Sequence, residues 1–228
     1  MPTSTVENYL KHIFMEQQRA GEGPVPMGRL AAALDVVPGT VTSMIKVLDD
    51  SGLVDYEPRS GTRLTSRGFR LALHVVRRHR LVEMFLVDAL KLDWSEVHEE
   101  AEELEHAVSD KVMDKIDEFL GYPDDDPHGD PIPSAQGELA TMSRQSLAEC
   151  ELGKVVRVAR VLDQNPEFLH FVDRTGLKPP AELVVETRDP VADALTLCPK
   201  QRQPITVGSA VAKKILVEPI EDNGAREV

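Results

Sequence analysis

The sequence predicts a mainly α-helical chain ending in a small barrel-like β domain, with a winged helix-turn-helix at its front. Three observations carry this. Apolar residues recur at helical spacing in several segments between residues 4 and 120. Two short helices near the start are followed at once by a strand–turn–strand. Beyond Leu152 the chain breaks into short β-branched runs punctuated by Pro, Gly and Asp. The expected organisation is a head over 1–72, a helical segment over 73–137, a linker over 138–151 and a β domain over 152–222.

Residues 4–19, STVENYLKHIFMEQQR, place apolar side chains at 6, 9, 10, 13 and 14, the pattern of one helix face. GEGP stops that helix, and MGRLAAALDV is a second, short one. In VPGTVTSMIKVLDDSGLV, Val41, Met44, Ile45 and Leu48 repeat at helical spacing, and Gly52 is placed to end the helix. A third helix that opens on small polar residues after a tight turn fits a DNA-reading helix. LVDYEPRSGTRLT then reads as a hairpin turning at Pro58–Gly61, the wing.

From Ser66 a long helix is expected to about Leu90, with more apolar residues than one buried stripe needs, which points to a subunit interface. An acidic helix follows, then DKVMDKIDEFL, also amphipathic. Residues 121–138, GYPDDDPHGDPIPSAQGE, read as an irregular connector. The runs VVRVARVLD, AELVVETR, ALTLC, PITVG and ILVEPI are the expected strands.

Composition places the chain among globular proteins: of 228 residues, 41% are hydrophobic and 29% charged. The net charge of −13 is unevenly spread. Residues 1–80 hold 11 Lys and Arg against 8 Asp and Glu, while the remainder holds 15 against 31. A mildly basic head on an acidic body can bind DNA, because recognition follows local charge. No apolar run approaches bilayer length and MPTSTVENYL lacks a signal-peptide pattern, so no membrane partner and a cytoplasmic location are expected. Cys150 and Cys198 have no metal-ligand spacing and fit a reducing compartment.

HEEAEELEH, residues 98–106, packs two histidines and five glutamates into nine positions. On a helix of about 3.6 residues per turn, His98, Glu102, Glu105 and His106 share one side, beside an apolar stripe of Val97, Ala101, Leu104 and Val108. His79 and Glu83 stand one turn apart on the long helix before it. Singly, each reads better as a solvated or salt-bridged group than as a ligand. Together they are six candidate ligands on neighbouring helices, and imidazole plus carboxylate without thiol suits Mn²⁺ or Fe²⁺.

The order of winged helix, RHRLVE, HEEAEELEHAVSD, HGDPIP and β-rich tail resembles the diphtheria-toxin-repressor family of metal-dependent transcriptional regulators. The resemblance covers nearly the whole chain. It implies a homodimer that binds double-stranded palindromic operator DNA when loaded with Fe²⁺ or Mn²⁺ and represses metal-uptake genes. It makes 73–137 the dimerisation and metal-binding domain, and the tail an SH3-like (FeoA-like) domain. Two neighbouring metal sites per subunit follow. One uses Glu102, Glu105 and His106 with Asn8; the other uses His79, Glu83 and His98, with Gln164 and Glu167 as weakly aligned additions.

Iron-responsive members have cysteine where this chain has Glu102, and manganese-responsive members have glutamate, so manganese is the preferred expectation. Asn8 departs from the family's Met or Asp, and Lys11 from the Glu of manganese members; His12, one turn beyond Asn8, is a possible substitute ligand.

The expected DNA contacts are Pro38, Gly39, Thr40, Thr42, Ser43 and Lys46 on the third helix, with Arg59 and Arg63 on the wing. Thr40 reads equally well as that helix's cap. Two rivals remain open. Glu103–His106 has the Glu-x-x-His spacing of carboxylate-bridged di-metal enzymes. A winged-helix regulator sensing an organic ligand would leave the acidic helix purely structural.

Overall fold

The computed structural model describes residues 3–21, 23–140 and 145–220. The chain divides into two compact units. The first comprises Met1–Val82, Glu102–Glu118 and Ile132–Ala140; the second comprises Glu83–Ala101, Phe119–Pro131 and Thr141–Val228. The helical segment expected over 73–137 is thus shared between two cores.

In the first unit, α1 (Ser4–Ala20) begins at Thr3, whose hydroxyl accepts from the Val6 N–H. It buries Tyr9, Leu10, Ile13 and Phe14 against α2 (Met27–Ala33) and α3 (Pro38–Asp50), which contribute Leu30, Ala31, Val41, Ile45 and Leu48. Each such large side chain withdrawn from water stabilises by about 1.5–3 kcal/mol. Gly52, at φ 68, turns the chain after α3 as expected.

The wing is an antiparallel hairpin of β1 (Val54–Glu57) and β2 (Gly61–Leu64). Gly61 is needed there: it sits at φ 143, and a Cβ would lie 2.4 Å from the Val25 carbonyl oxygen. That clearance lets Val25 and Thr62 exchange backbone hydrogen bonds of 2.8 and 3.0 Å and fastens the wing to the chain ahead of α2. The long helix α4 (Ser66–Asp88) closes this core with Ala72, Leu73 and Val76. Part of its apolar surplus is therefore spent within the chain.

The acidic helix differs from expectation. α5 (Val97–Leu104) stops before Glu105, and residues 105–107 form a turn in which the Ala107 and Val108 N–H groups return to the Leu104 carbonyl. Leu104 is 37% exposed while Glu105 is fully buried, so the expected apolar stripe ends at Ala101. α6 (Asp110–Phe119) follows.

In the second unit, β3 (Gln145–Ser146), β4 (Val155–Val161), β5 (Glu182–Asp189), β6 (Ala194–Pro199), β7 (Ile205–Gly208) and β8 (Ile215–Pro219) form one antiparallel sheet in the order β3-β8-β4-β5-β6-β7. Register shifts in β4 and β5 bend it. Alternate residues, Val156, Val158, Leu183, Val185, Leu195 and Leu197, point into one core. Gln145, Ser146 and the buried Leu147 and Cys150, expected in the linker, belong to this sheet and core.

α7 (Pro166–Thr175) packs Leu169 and Val172 on the same core and was not expected. Its signals were local: Asn165 accepts from the Glu167 N–H, Pro166 takes the first helical position, and Gly176 ends the helix in the left-handed region. A short α8 (Ser209–Ala212) precedes β8. The expected domain end at 222 lies outside the described residues. No single helix among the described residues is long and apolar enough to cross a membrane.

Candidate metal centre

In the first unit, His79, Glu102 and Glu105 come together with ligand atoms within 4.8 Å of one another. His79 Nδ1 is 2.6 Å from Glu105 Oε2 and 4.0 Å from Glu102 Oε1. Glu105 sits inside because the turn after α5 carries it there, and that turn is clamped by Arg78. The Arg78 Nε donates to the Glu105 carbonyl at 2.8 Å, and Nη2 donates to the Val108 carbonyl. A buried carboxylate with no counter-charge would be costly. Here Lys11 supplies one, with Nζ at 2.7 Å from Glu102 Oε1 and 2.6 Å from Glu105 Oε1.

His106 lies at the edge of this group. Its Nε2 is 2.6 Å from Asn8 Oδ1 and 3.2 Å from Glu105 Oε1, and its Nδ1 is 2.6 Å from Glu7 Oε2. Asn8 is therefore brought to the site, as a partner of His106. Glu7, which sequence reasoning missed, stands beside it. Sequence alone points only to the neighbouring position, since a side chain's direction on α1 depends on how that helix docks. His12 is half-buried on α1 and belongs to none of the ligand groups found among the described residues.

The second unit holds Glu83 at the centre of another cluster. Glu83 is 1% exposed; its Oε1 is 3.2 Å from His98 Nδ1, on a half-exposed side chain. On its other side, Glu83, Asp126 and His128 form a fully buried ligand group. His128 Nδ1 lies 3.8 Å from Glu83 Oε2 and 3.9 Å from Asp126 Oδ1, and it has no hydrogen-bond partner. Burial opposes a charged His128, but Glu83 and Asp126, with the Trp94 carbonyl, outweigh it and push the pKa up to about 9.

Asp126 and His128 fall in the stretch expected as an irregular connector. Their stretch is instead pinned: the Asp126 carboxylate accepts the His128 and Asp130 N–H groups, and the His128 carbonyl accepts from Val161 of β4. Gly129 permits this approach, since a Cβ there would lie 1.9 Å from the Ala159 oxygen. The only available signal was a Pro- and Asp-rich run containing a histidine.

Within the second unit, Gln164 and Glu167 are not among the ligand group around Glu83. Gln164 donates to Asp130 Oδ2 at 3.0 Å, and Glu167 is exposed at the start of α7, where the helix directs it to solvent. The Glu103–His106 spacing makes no ligand pair either, because α5 ends between them and Glu103 is exposed.

On α3, Pro38, Gly39, Thr40, Ser43 and Lys46 are exposed and Thr42 is half-buried. Thr40 is not the helix cap; that position is Val37, with Pro38 opening the helix. The Thr42 and Ser43 hydroxyls donate back to the Pro38 and Gly39 carbonyls at 2.9 and 3.0 Å. Arg59, at φ 71 in the hairpin turn, and Arg63 on β2 are both exposed.

The donors of both clusters are carboxylate oxygens and imidazole nitrogens without thiol, a set that fits divalent first-row ions such as Mn²⁺ and Fe²⁺. The buried His128 nitrogen that no hydrogen bond satisfies supports that fit in the second unit.

Residues 1–62 match the family described as "Iron dependent repressor, N-terminal DNA binding domain". Residues 65–134 match "Iron dependent repressor, metal binding and dimerisation domain", and residues 145–219 match "FeoA domain". A solved structure described as a manganese-dependent transcriptional repressor in complex with manganese is 38% identical. It superposes with a TM-score of 0.85 over 94% of this chain and 100% of the other. The iron-dependent repressor IdeR of Mycobacterium leprae is 29% identical over 95% of this chain and 97% of its own length. The transcriptional regulator MntR of Shouchella clausii is 34% identical over 54% of this chain and 83% of its own.

Proposed function

Because the chain belongs to the iron-dependent (diphtheria-toxin) repressor family, we propose that His79, Glu102 and Glu105 are where a divalent ion governs its DNA binding. The protein is a metal-dependent transcriptional repressor that binds operator DNA as a homodimer, with Mn²⁺ or Fe²⁺ as its metal. The reading head is assigned to residues 1–72, with Pro38, Gly39, Thr40, Thr42, Ser43 and Lys46 facing the groove and Arg59 and Arg63 meeting phosphates. It is assigned no catalytic role, and a cytoplasmic location.

One observation carries the site: the convergence of His79, Glu102 and Glu105, with His106 held beside them by Glu7 and Asn8 of α1. When bound, the ion supplies positive charge shared among these ligands. The residues of α1 that grip His106 then make α1, the first helix of the head, sensitive to occupancy. Coupling of this kind shifts a population only by the ion's difference in affinity between head positions; a hundredfold preference is about 2.7 kcal/mol. The second metal position is assigned to Glu83, served by His98, Asp126 and His128. The hard oxygen of Glu102, in place of a soft thiolate, favours Mn²⁺.

The test is an operator titration in EDTA and in added Mn²⁺ or Fe²⁺, on the wild type and Glu105→Gln. EDTA is expected to weaken wild-type binding at least tenfold, Mn²⁺ to restore it, and Glu105→Gln to abolish the restoration. Equal binding in EDTA and Mn²⁺ would instead favour an organic-ligand sensor.

A further inference from the structure

Lys11 is an unusual neighbour for a cation site. It is 4% exposed, deep on α1, and its ammonium touches both carboxylates of the His79–Glu102–Glu105 group. Both contacts use the Oε1 atoms, and Glu102 Oε1 is the same atom that lies 4.0 Å from His79 Nδ1. An ammonium and a divalent ion therefore seek the same oxygens.

We propose that Lys11 is a tethered counter-ion of this site, competing with the divalent ion for Glu102 and Glu105 and setting the ion concentration at which the protein responds. The inference rests on the reading of this group as a metal site and adds its affinity determinant.

Two consequences follow from charge. In the metal-free protein, Glu105, with no exposed surface, keeps a positive partner, so α1 stays fastened to the turn after α5 without any ion. On uptake, the ammonium must yield at least one carboxylate oxygen, so affinity is lower than the ligands alone would give. A lysine serving only as a structural salt bridge differs in one signature: removing it leaves metal affinity unchanged or weaker.

The test is Mn²⁺ uptake by the full chain, followed by electron paramagnetic resonance of free Mn²⁺. It compares wild type, Lys11→Met, Lys11→Gln and Glu105→Gln. The uptake step that Glu105→Gln removes is expected to move to about tenfold lower Mn²⁺ in both Lys11 variants, with any other step unmoved. Hydrogen exchange in EDTA follows the metal-free state. Amides of residues 5–19 are expected to be protected in wild type, to lose protection in the Lys11 variants, and to regain it with Mn²⁺. Because uptake is measured with ion present, a variant that folds only with metal still reports.

A Glu105-dependent step that stays put or weakens in both variants overturns the Lys11 proposal while leaving the metal site intact. If neither wild type nor the variants show a Glu105-dependent step, the metal-site reading falls and the proposal with it.

Discussion

Arg78 donates its Nε to the backbone carbonyl of Glu105 at 2.8 Å, so a buried guanidinium holds the turn that carries a buried carboxylate. Its remaining nitrogens reach the Val108 carbonyl and, at 2.6 Å, the Asp110 carboxylate. Arg78→Met leaves two inward carbonyls without donors, which costs about 1–3 kcal/mol each. The expected result is a stability loss of about 2–4 kcal/mol by denaturant unfolding, and Mn²⁺ affinity reduced about tenfold. Arg78→Lys keeps the charge but not the fork, and rescues little.

His128 gives the metal-free protein a pH dependence. Its folded pKa of about 9 lies above the ordinary 6.5. A raised folded value contributes stability that is fully present below about pH 6.5 and is lost as pH rises through about 9. The shift corresponds to something on the order of 3 kcal/mol. Unfolding in EDTA between about pH 7 and pH 10 should show this loss, and His128→Gln should flatten it. An equally steep fall in the variant would assign the effect elsewhere.

Trp94, the only tryptophan, stacks on His128 with ring centroids 5.4 Å apart and has Lys178 Nζ 4.6 Å from its ring. Its fluorescence is therefore a reporter of the Glu83–Asp126–His128 cluster. Mn²⁺ is expected to change it in wild type and in Glu105→Gln but not in Glu83→Gln. A change lost in Glu105→Gln would tie the indole to the other site.

On the DNA side, Lys46 and Arg59 are exposed long cations on α3 and in the hairpin turn. As phosphate contacts, each should weaken operator and unrelated duplex alike when replaced by Ala. Each should also reduce the slope of log affinity against log salt by about 0.9. As base contacts, Thr40 and Ser43 should, when replaced by Ala, leave that slope unchanged and alter preference among operators. Salt titrations on two duplexes separate the two behaviours.

Helices and strands were legible because their signals are local. Val41, Met44, Ile45 and Leu48 mark α3 by spacing alone, and alternation in ELVVETRD and ALTLCP marks β5 and β6. α7 has equally local signals in Asn165, Pro166 and Gly176, set among β-branched runs that dominate the pattern around it. The end of α5 was not legible: EEAEELEH continues the helical pattern, and the stop depends on Arg78, distant in sequence, taking the carbonyls of Glu105 and Val108.

Residue type and spacing by themselves determined the winged head, the long helix, the β tail and the choice of imidazole and carboxylate as ligands, because periodicity and donor chemistry are written in neighbouring positions. Tertiary structure alone decided that Lys11 and Glu7 join Glu105 and His106, and that Asp126 and His128 join Glu83. Those partners are 43 or more positions apart. A buried charge chooses its counter-charge by which surfaces the packed core presses together, and that choice leaves no periodic trace along the chain.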